Sequence, residues 1–371
     1  MTTVAPLAIA MVQRFLPSRS RGGVGHFTHG LANALMERDH SVTVFSQDPA
    51  PGGARYRVVQ VGDRKRPAGS LGAPLLFPLQ IARQDFSPFD ILHAQGDDQL
   101  IPRSDTPPVV RTLHGSALAE AVHNGLKRGS ATRFLMHLYF YAWERVAAAR
   151  ADVVVAVSAD TRRHHPRVHR VVPNGVDLRR FAPRGDSRAA NPAILFVGEL
   201  STRKRGVLLV KAFRATVRPA VPGAELWLVC PERVEGDGIR WHGAVDEDAL
   251  ARLYRQAWVF CLPSSYEGFG RPYVEALAAG TPVVATPNAG ALEVLGHGRY
   301  GVIAEDHELG PALCAVLNDP ARREVLSRRG LERAGIYAWE RIAREYEEVY
   351  ESALVERRRE RPAPAAGRGM R

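Results

Sequence analysis

This chain is expected to fold as two doubly wound α/β domains, each a parallel sheet packed between helices, facing each other across a cleft. Three observations predict it. Apolar runs of strand length alternate with longer amphipathic stretches along nearly the whole chain, the pattern that builds strand-helix-strand units. The alternation pauses at a polar segment without periodicity, Arg184 to Asn191, and then starts again. With 371 residues and 45% hydrophobic content, the chain can bury enough surface for two domains. The division expected is residues 1–183 for the first domain, 184–191 for a linker and 192–338 for the second domain. Residues 339–355 form a terminal helix, and 356–371 a disordered tail.

Leu7 to Val12 is an apolar run suited to a first parallel strand. The loop after it, Arg-Ser-Arg-Gly-Gly-Val-Gly, opens into a helix from about Val24 to Arg38. A strand, a glycine loop and a helix resemble a dinucleotide fingerprint, but Thr28 stands where the third glycine belongs, and no acid follows the strand Ser41 to Phe45 to take a ribose. A nicotinamide dehydrogenase is therefore disfavoured. Gly22 and Gly23 read instead as a loop that lets a phosphate or an acceptor come close to the backbone. Tyr56 to Val61 and Asp90 to His93 continue the strands, with Arg64 to Pro78 between them read as a surface loop over the cleft. Val109 to Leu113 is the next strand, and His114 sits at its C-terminal end, where open α/β sheets bind ligands. His93 and Gln95 lie on the same edge as weaker acceptor-side candidates. Ala131 to Arg150 is a long helix whose stripe of Phe134, Leu135, Leu138, Tyr139, Ala142, Trp143 and Val146 is expected to pack in the core. Lys127, Arg128 and Arg133 flank it, so any membrane contact is expected to be peripheral at most. Asp152 to Val157 is a buried strand with Ser158 as a helix cap, and the Asn174-Gly175 pair beyond reads as a turn with positive φ.

The second series comprises strands at Ala193 to Gly198, Ala224 to Cys230, Gly238 to His242, Trp258 to Leu262 and Pro282 to Thr286. After the fourth comes Pro-Ser-Ser-Tyr-Glu-Gly-Phe-Gly-Arg-Pro, running into a helix with Pro272 in its first turn. Free backbone N–H groups and the helix dipole at such a junction attract a phosphate, and Gly268 and Gly270 let it approach. Glu267 and Glu275 bracket the turn. Carboxylates beside a phosphate site repel the ligand unless they accept hydrogen bonds from hydroxyls, so the pattern points to a nucleotide sugar.

Glu267 and Glu275, eight apart, with Gly268-Phe269-Gly270 after the first, resemble the signature of retaining glycosyltransferases of the GT-B fold, most closely family 4. The resemblance implies a nucleotide-sugar donor held mainly by the second domain and a hydroxyl acceptor by the first. It implies donor contacts at Glu267, Gly268, Phe269, Gly270 and Glu275, a histidine on the donor sugar at His114, and a glycine pair at Gly22 and Gly23. The loop Gly-Glu-Leu-Ser-Thr-Arg-Lys-Arg-Gly places Lys204 where the family has a lysine on the donor diphosphate. Its identity fits, because the chain has only four lysines and keeps one here, where a compact charge suits phosphate. Glu199 departs from the family's arginine; Arg203 or Arg205 supplies the missing charge, or Glu199 turns away. Ala289-Gly290 before Glu293 partly matches a further family segment. In this fold the helix from Trp339 commonly crosses back to the first domain.

The expected activity is transfer from a UDP-sugar to a hydroxyl by front-face substitution, giving an α-glycoside in glycoconjugate, polysaccharide or specialised-metabolite biosynthesis. His114, Lys204 and Glu267 form the catalytic group, without a metal or cofactor. A GT-B phosphorylase, a sugar-nucleotide epimerase or a non-catalytic nucleotide-sugar-binding protein would share the fold. The formal charge of +11 is almost wholly arginine, much of it in the Arg-Arg-Arg-Glu-Arg tail, and does not argue for nucleic acid. Cys230, Cys261 and Cys314 sit in apolar surroundings and read as reduced core residues, which with no apolar run of membrane length places the chain in the cytoplasm.

Overall fold

The structure, a computed structural model, describes residues 5–17, 22–62, 73–104, 106–122, 131–185 and 188–360. It contains two all-parallel sheets. The first takes β1 (Ala8–Val12), β2 (Ser41–Ser46), β3 (Arg57–Gln60), β4 (Ile91–Ala94), β5 (Val109–Leu113), β6 (Val153–Ala156) and β7 (Arg170–Val171) in the order β3-β2-β1-β4-β5-β6-β7. Between β1 and β8 lie the helices α1 (Gly23–Met36), α2 (Ala73–Ile81), α3 (Ala117–Glu120), α4 (Ala131–Arg150), α5 (Ala159–His164) and α6 (Leu178–Phe181). The second takes β8 (Ala193–Val197), β9 (Glu225–Val229), β10 (Ile239–Trp241), β11 (Val259–Leu262), β12 (Val283–Ala285) and β13 (Val302–Ile303) in the order β10-β9-β8-β11-β12-β13. After β8 come the helices α7 (Gly206–Ala212), α8 (Arg218–Ala220), α9 (Glu247–Gln256), α10 (Arg271–Ala278), α11 (Ala289–Val294), α12 (Leu309–Leu317), α13 (Pro320–Ala334) and α14 (Trp339–Glu360).

Each strand order reverses once, beside β1 and beside β8, and a crevice opens at the carboxyl ends of the strands at such a point. The pleat divides β1 between two cores. Ile9 and Met11 pack under α1 and α14, and Ala10 and Val12 under Phe77 and Ile81 of α2. The second sheet is apolar on both faces, as a sheet sandwiched by helices must be.

Several expectations are corrected. Residues 73–78 of the presumed surface loop belong to helix α2; residues 64–72, like Lys127 and Arg128, lie outside the described residues. Val176 and Phe181 already pack into the second core, so the chain has crossed before residue 184. Arg188 and Ala189 are then tied to that domain through Thr281 Oγ1, Gly280 O and Gln256 O. Gly175 has no positive φ; glycine stands there because a Cβ would lie 2.2 Å from the ring of Trp339. Helix α14 runs on through Glu360, five residues beyond the expected end, and residues 361–371 lie outside the described residues. The apolar stripe of α4 faces out rather than into a core: Leu135, Tyr139 and Val146 are exposed.

Helix α14 returns the chain to the first domain, where Ile342, Tyr346, Val349 and Tyr350 fill the core beside α1. Glu347 fixes it, accepting from Arg38 Nε at 2.6 Å and lying 3.0 Å from His40 Nε2. The outgoing and returning strands touch where Val176 N donates to Tyr337 O at 2.8 Å. No described helix is long and apolar enough to cross a membrane.

Candidate functional site

The carboxyl ends of β1, β4 and β5 face those of β8 and β11, and side chains reach across. A Cβ on Gly268, in the loop after β11, would lie 3.3 Å from His114 O and 3.4 Å from Gly115 Cα, so these loops are in contact and a side chain there would be tight against the first domain. Arg271 Nη1, in the first turn of α10, donates to Gly23 O at 3.3 Å. Glu293 on α11 accepts from Ala159 N at the start of α5, 3.0 Å away.

Glu267 follows β11 and is 5% exposed. It accepts from Ser264 Oγ at 2.9 Å and pairs with Arg203 Nη1 at 2.7 Å. Burial works to raise its carboxyl, but Arg203 and Lys204 overcome this and hold it below its ordinary range. Arg203 also donates to Tyr266 O at 2.7 Å, which binds the loop after β8 to the loop after β11. Lys204 is half-buried. Gly198, at φ +148°, has no Cβ in the path of its stem, since one would meet Lys204 Cδ at 2.2 Å. Nζ reaches Val197 O at 3.4 Å. Burial lowers the ammonium and Glu267 resists, so a partly desolvated cation sits beside an engaged carboxylate.

The two candidates for the missing charge part ways here. Arg205 is committed elsewhere, donating to Pro263 O at 2.7 Å, to Thr286 Oγ1 at 2.9 Å and to Asp306 at 2.6 Å. Arg203 stays on the Glu267 side of the loop, and Glu199 is exposed.

Gly270, at φ +93°, caps α10, whose dipole points at the loop. The side chain of Phe269 does not face a ligand: it is buried and meets Tyr337 edge-on at 5.6 Å. Glu275 is buried too, accepting from Tyr254 OH at 3.2 Å and from Arg271 Nη2 at 2.8 Å. Gly22 caps α1, and a Cβ on Gly23 would meet nothing within 4 Å, so the backbone there is open to a ligand.

His114 lies edge-on to Phe27 at 4.7 Å, and burial with Arg111 nearby lowers its imidazole to about 3, leaving it neutral. Its Nε2 is 2.7 Å from Gln95 Oε1, an atom that only accepts, so Nε2 is assigned the proton and Nδ1 the lone pair. Gln95 Nε2 in turn lies 3.0 Å from His93 Nε2. His93 is fully buried between Tyr350 OH at 2.9 Å and Thr112 Oγ1 at 2.8 Å. His93 is thus a core residue rather than an acceptor contact, and Gln95 orients His114. Sequence reasoning missed Arg271 and the orienting part of Gln95. The i,i+4 spacing of Arg271 to Glu275 was a readable signal, whereas the separation of 19 positions from Gln95 to His114 gave none.

Residues 21–180 match the family described as Glycosyltransferase Family 4, and residues 191–319 match Glycosyl transferases group 1. A D-inositol 3-phosphate glycosyltransferase from Geodermatophilus obscurus is 34% identical over 57% of this chain and 55% of its own length. An MMP alpha-(1->4)-mannosyltransferase from Mycolicibacterium hassiacum is 28% identical over 90% of this chain and 95% of its own. Among solved structures, sucrose-phosphate synthase from Thermosynechococcus elongatus superposes with a TM-score of 0.76 at 22% identity, covering 94% of this chain and 99% of that one. HepE from Anabaena in complex with UDP-glucose superposes at 0.70 and 18% identity, covering 93% and 100%. At these identities the superpositions show the fold alone.

Proposed function

The chain belongs to glycosyltransferase family 4 and has its two-domain GT-B fold, and on that premise we propose that it moves a sugar from a UDP-sugar to an acceptor hydroxyl with retention, without a metal. The observation that carries this reading is the state of the carboxylates. Glu267 is held by Arg203 and Ser264, Glu275 by Arg271 and Tyr254, and Glu293 by Ala159 N. A double displacement needs a free carboxylate behind the anomeric carbon, and none of these three is free. Glu267, charged and fixed, is suited to accept hydrogen bonds from sugar hydroxyls.

In the front-face route the bond from the anomeric carbon to the diphosphate oxygen breaks. The acceptor oxygen bonds on the same face, and its proton passes to the departing phosphate. Lys204 and the N-terminus of α10 neutralise the leaving charge, and Arg203 keeps Glu267 ionised and in place. His114 Nδ1 accepts from a sugar hydroxyl. Uridine is supported by the HepE complex with UDP-glucose alone.

The test is stereochemical. The anomeric coupling of the product, read by proton NMR, is expected to show an α-glycoside from an α-linked donor. Glu267→Gln should keep a measurable fraction of activity, because an amide still accepts a hydrogen bond, and Glu267→Ala should lose more. A β-linked product would overturn retention. A glycosyl adduct on Glu267, seen by intact mass with a slow fluorinated donor, would overturn the front-face route.

A further inference from the structure

Two neighbouring acids follow the carboxyl end of β4, and the fold treats them differently. Asp98 is buried and paired with Arg111 of β5. Asp97 is half-buried, and its carboxylate accepts no hydrogen bond from any described residue. The backbone turns sharply here, with Gly96 at φ +154° and Asp97 at φ +61°. The second is a left-handed conformation that costs a residue with a Cβ energy and is kept where the position has a use. Burial works to raise the Asp97 carboxyl, and the charges of Arg14 and Arg111 work to lower it. Both guanidiniums therefore act on Asp97, yet neither forms an ion pair with it. Arg111 is taken by Asp98, and Arg14, after β1, donates from Nε to Gln47 Oε1 at 3.1 Å.

The place of this carboxylate matters as much as its lack of a partner. Gln95, two residues earlier, lies 2.7 Å from His114 Nε2. Two residues span at most about 7 Å, so Asp97 stands on the first-domain side of the cleft within about one sugar ring of that histidine. A partly desolvated acceptor without donors is costly until a ligand brings them. The charges around it select which ligand. A phosphate or carboxylate would be repelled by Asp97, and an ammonium by Arg14 and Arg111. A phenol or a lone alcohol brings one O–H to two carboxylate oxygens and leaves the other unmet. Hydroxyls on adjacent carbons bring one donor to each.

We propose that Asp97 binds the acceptor, and that the acceptor is a sugar or other polyol whose adjacent hydroxyls donate to the two carboxylate oxygens, turning a further hydroxyl toward the anomeric carbon. The proposal rests on the transferase reading and gives its acceptor a chemical class. Asp97 lies in the first domain and outside the group formed by Glu267, Lys204 and His114.

The test is UDP release by the full chain from UDP-glucose, UDP-galactose and UDP-N-acetylglucosamine. Glucose, mannitol and myo-inositol are compared as acceptors with phenol and 1-octanol, and release is expected with a polyol. Asp97→Gly removes the carboxylate at a backbone angle that glycine adopts freely, and Asp97→Asn keeps the shape without the charge. Both should melt no lower than the wild type. The acceptor KM should rise by on the order of tenfold or more in the glycine variant and by less in the asparagine variant, with the donor KM unchanged. A single-deoxy analogue of the polyol, lacking one of the adjacent hydroxyls, should cost the wild type on the order of tenfold in kcat/KM and the glycine variant almost nothing. Release with phenol or octanol and not with the polyols, or an unchanged acceptor KM in both variants, overturns the proposal and leaves the transferase reading standing. A glycosyl adduct on Asp97, seen by intact mass, would make it a nucleophile and overturn the proposal as well. No release with any acceptor overturns both.

Discussion

Lys204 ties a local backbone choice to the chemistry. Its stem crosses Gly198 where a Cβ would meet Cδ at 2.2 Å, and burial lowers its ammonium while Glu267 opposes the loss. Lys204→Ala should lose most of its turnover, because the charge facing the departing diphosphate is gone. A half-buried stem also means a modest loss of stability, about 1 kcal/mol, rather than the neutrality of a surface charge. Excess chelator, in contrast, should leave turnover unchanged. Steady-state kinetics with thermal unfolding check both arms, and an unchanged turnover number for the variant would remove Lys204 from the site. A second test concerns Gln95. Gln95→Leu removes the acceptor on His114 Nε2, so the imidazole loses its fixed tautomer. KM for the donor should rise several-fold with a native melting curve, and the ring-nitrogen shifts of His114 should move. Unmoved shifts would show that another group sets the tautomer.

At the scale of elements, α4 shows how far periodicity can be trusted. The stripe is readable from spacing alone, but spacing does not say which side of a helix finds a partner. Here Glu144, Ala147 and Ala148 hold the helix, and the stripe faces outward. The buried side carries a titration of its own. Burial pushes the Glu144 carboxyl up to about 7, against Ala117 N–H and Arg111, with Glu120 raising it further and His137 and His165 also facing it. An unfolded carboxyl titrates near 4.5, so between there and about 7 the folded protein keeps a proton that the unfolded chain has released. This contribution to stability falls as pH rises through that window. Glu144→Gln should flatten it and stabilise the protein at neutral pH by on the order of 1–2 kcal/mol. His93 and His114, lowered to about 3, act in the opposite sense below 6.5 in both proteins and cancel in the difference. Parallel stability curves for wild type and variant across the window would contradict the assignment.

For the whole molecule, the two crossings between domains meet at Trp339. Its ring lies where a Cβ on Gly30 of α1 or on Gly175 of the outgoing strand would each come within 2.2 Å. Gly30→Ala should therefore cost about 1–3 kcal/mol through overpacking, lowering Tm by several degrees. In combination with Trp339→Ala, much of that cost should disappear, a coupling that a double-mutant cycle detects. Additive losses would mean that the ring moves away freely.

The alternation of strands and helices, the glycine junction at residues 267–270 and the lysine after β8 were legible from the sequence alone. Each is a local pattern whose physical reason lies within a few residues: an apolar run, a positive φ, a helix start. Tertiary structure alone decided that Gln95 meets His114 and that Phe269 turns to Tyr337. It also decided that Arg205 is spent on Asp306 and that Glu347 reaches back 309 residues to Arg38. These pairings are set by how the two sheets and the returning helix pack, and hydrophobic periodicity carries no record of which partner a buried polar group will find.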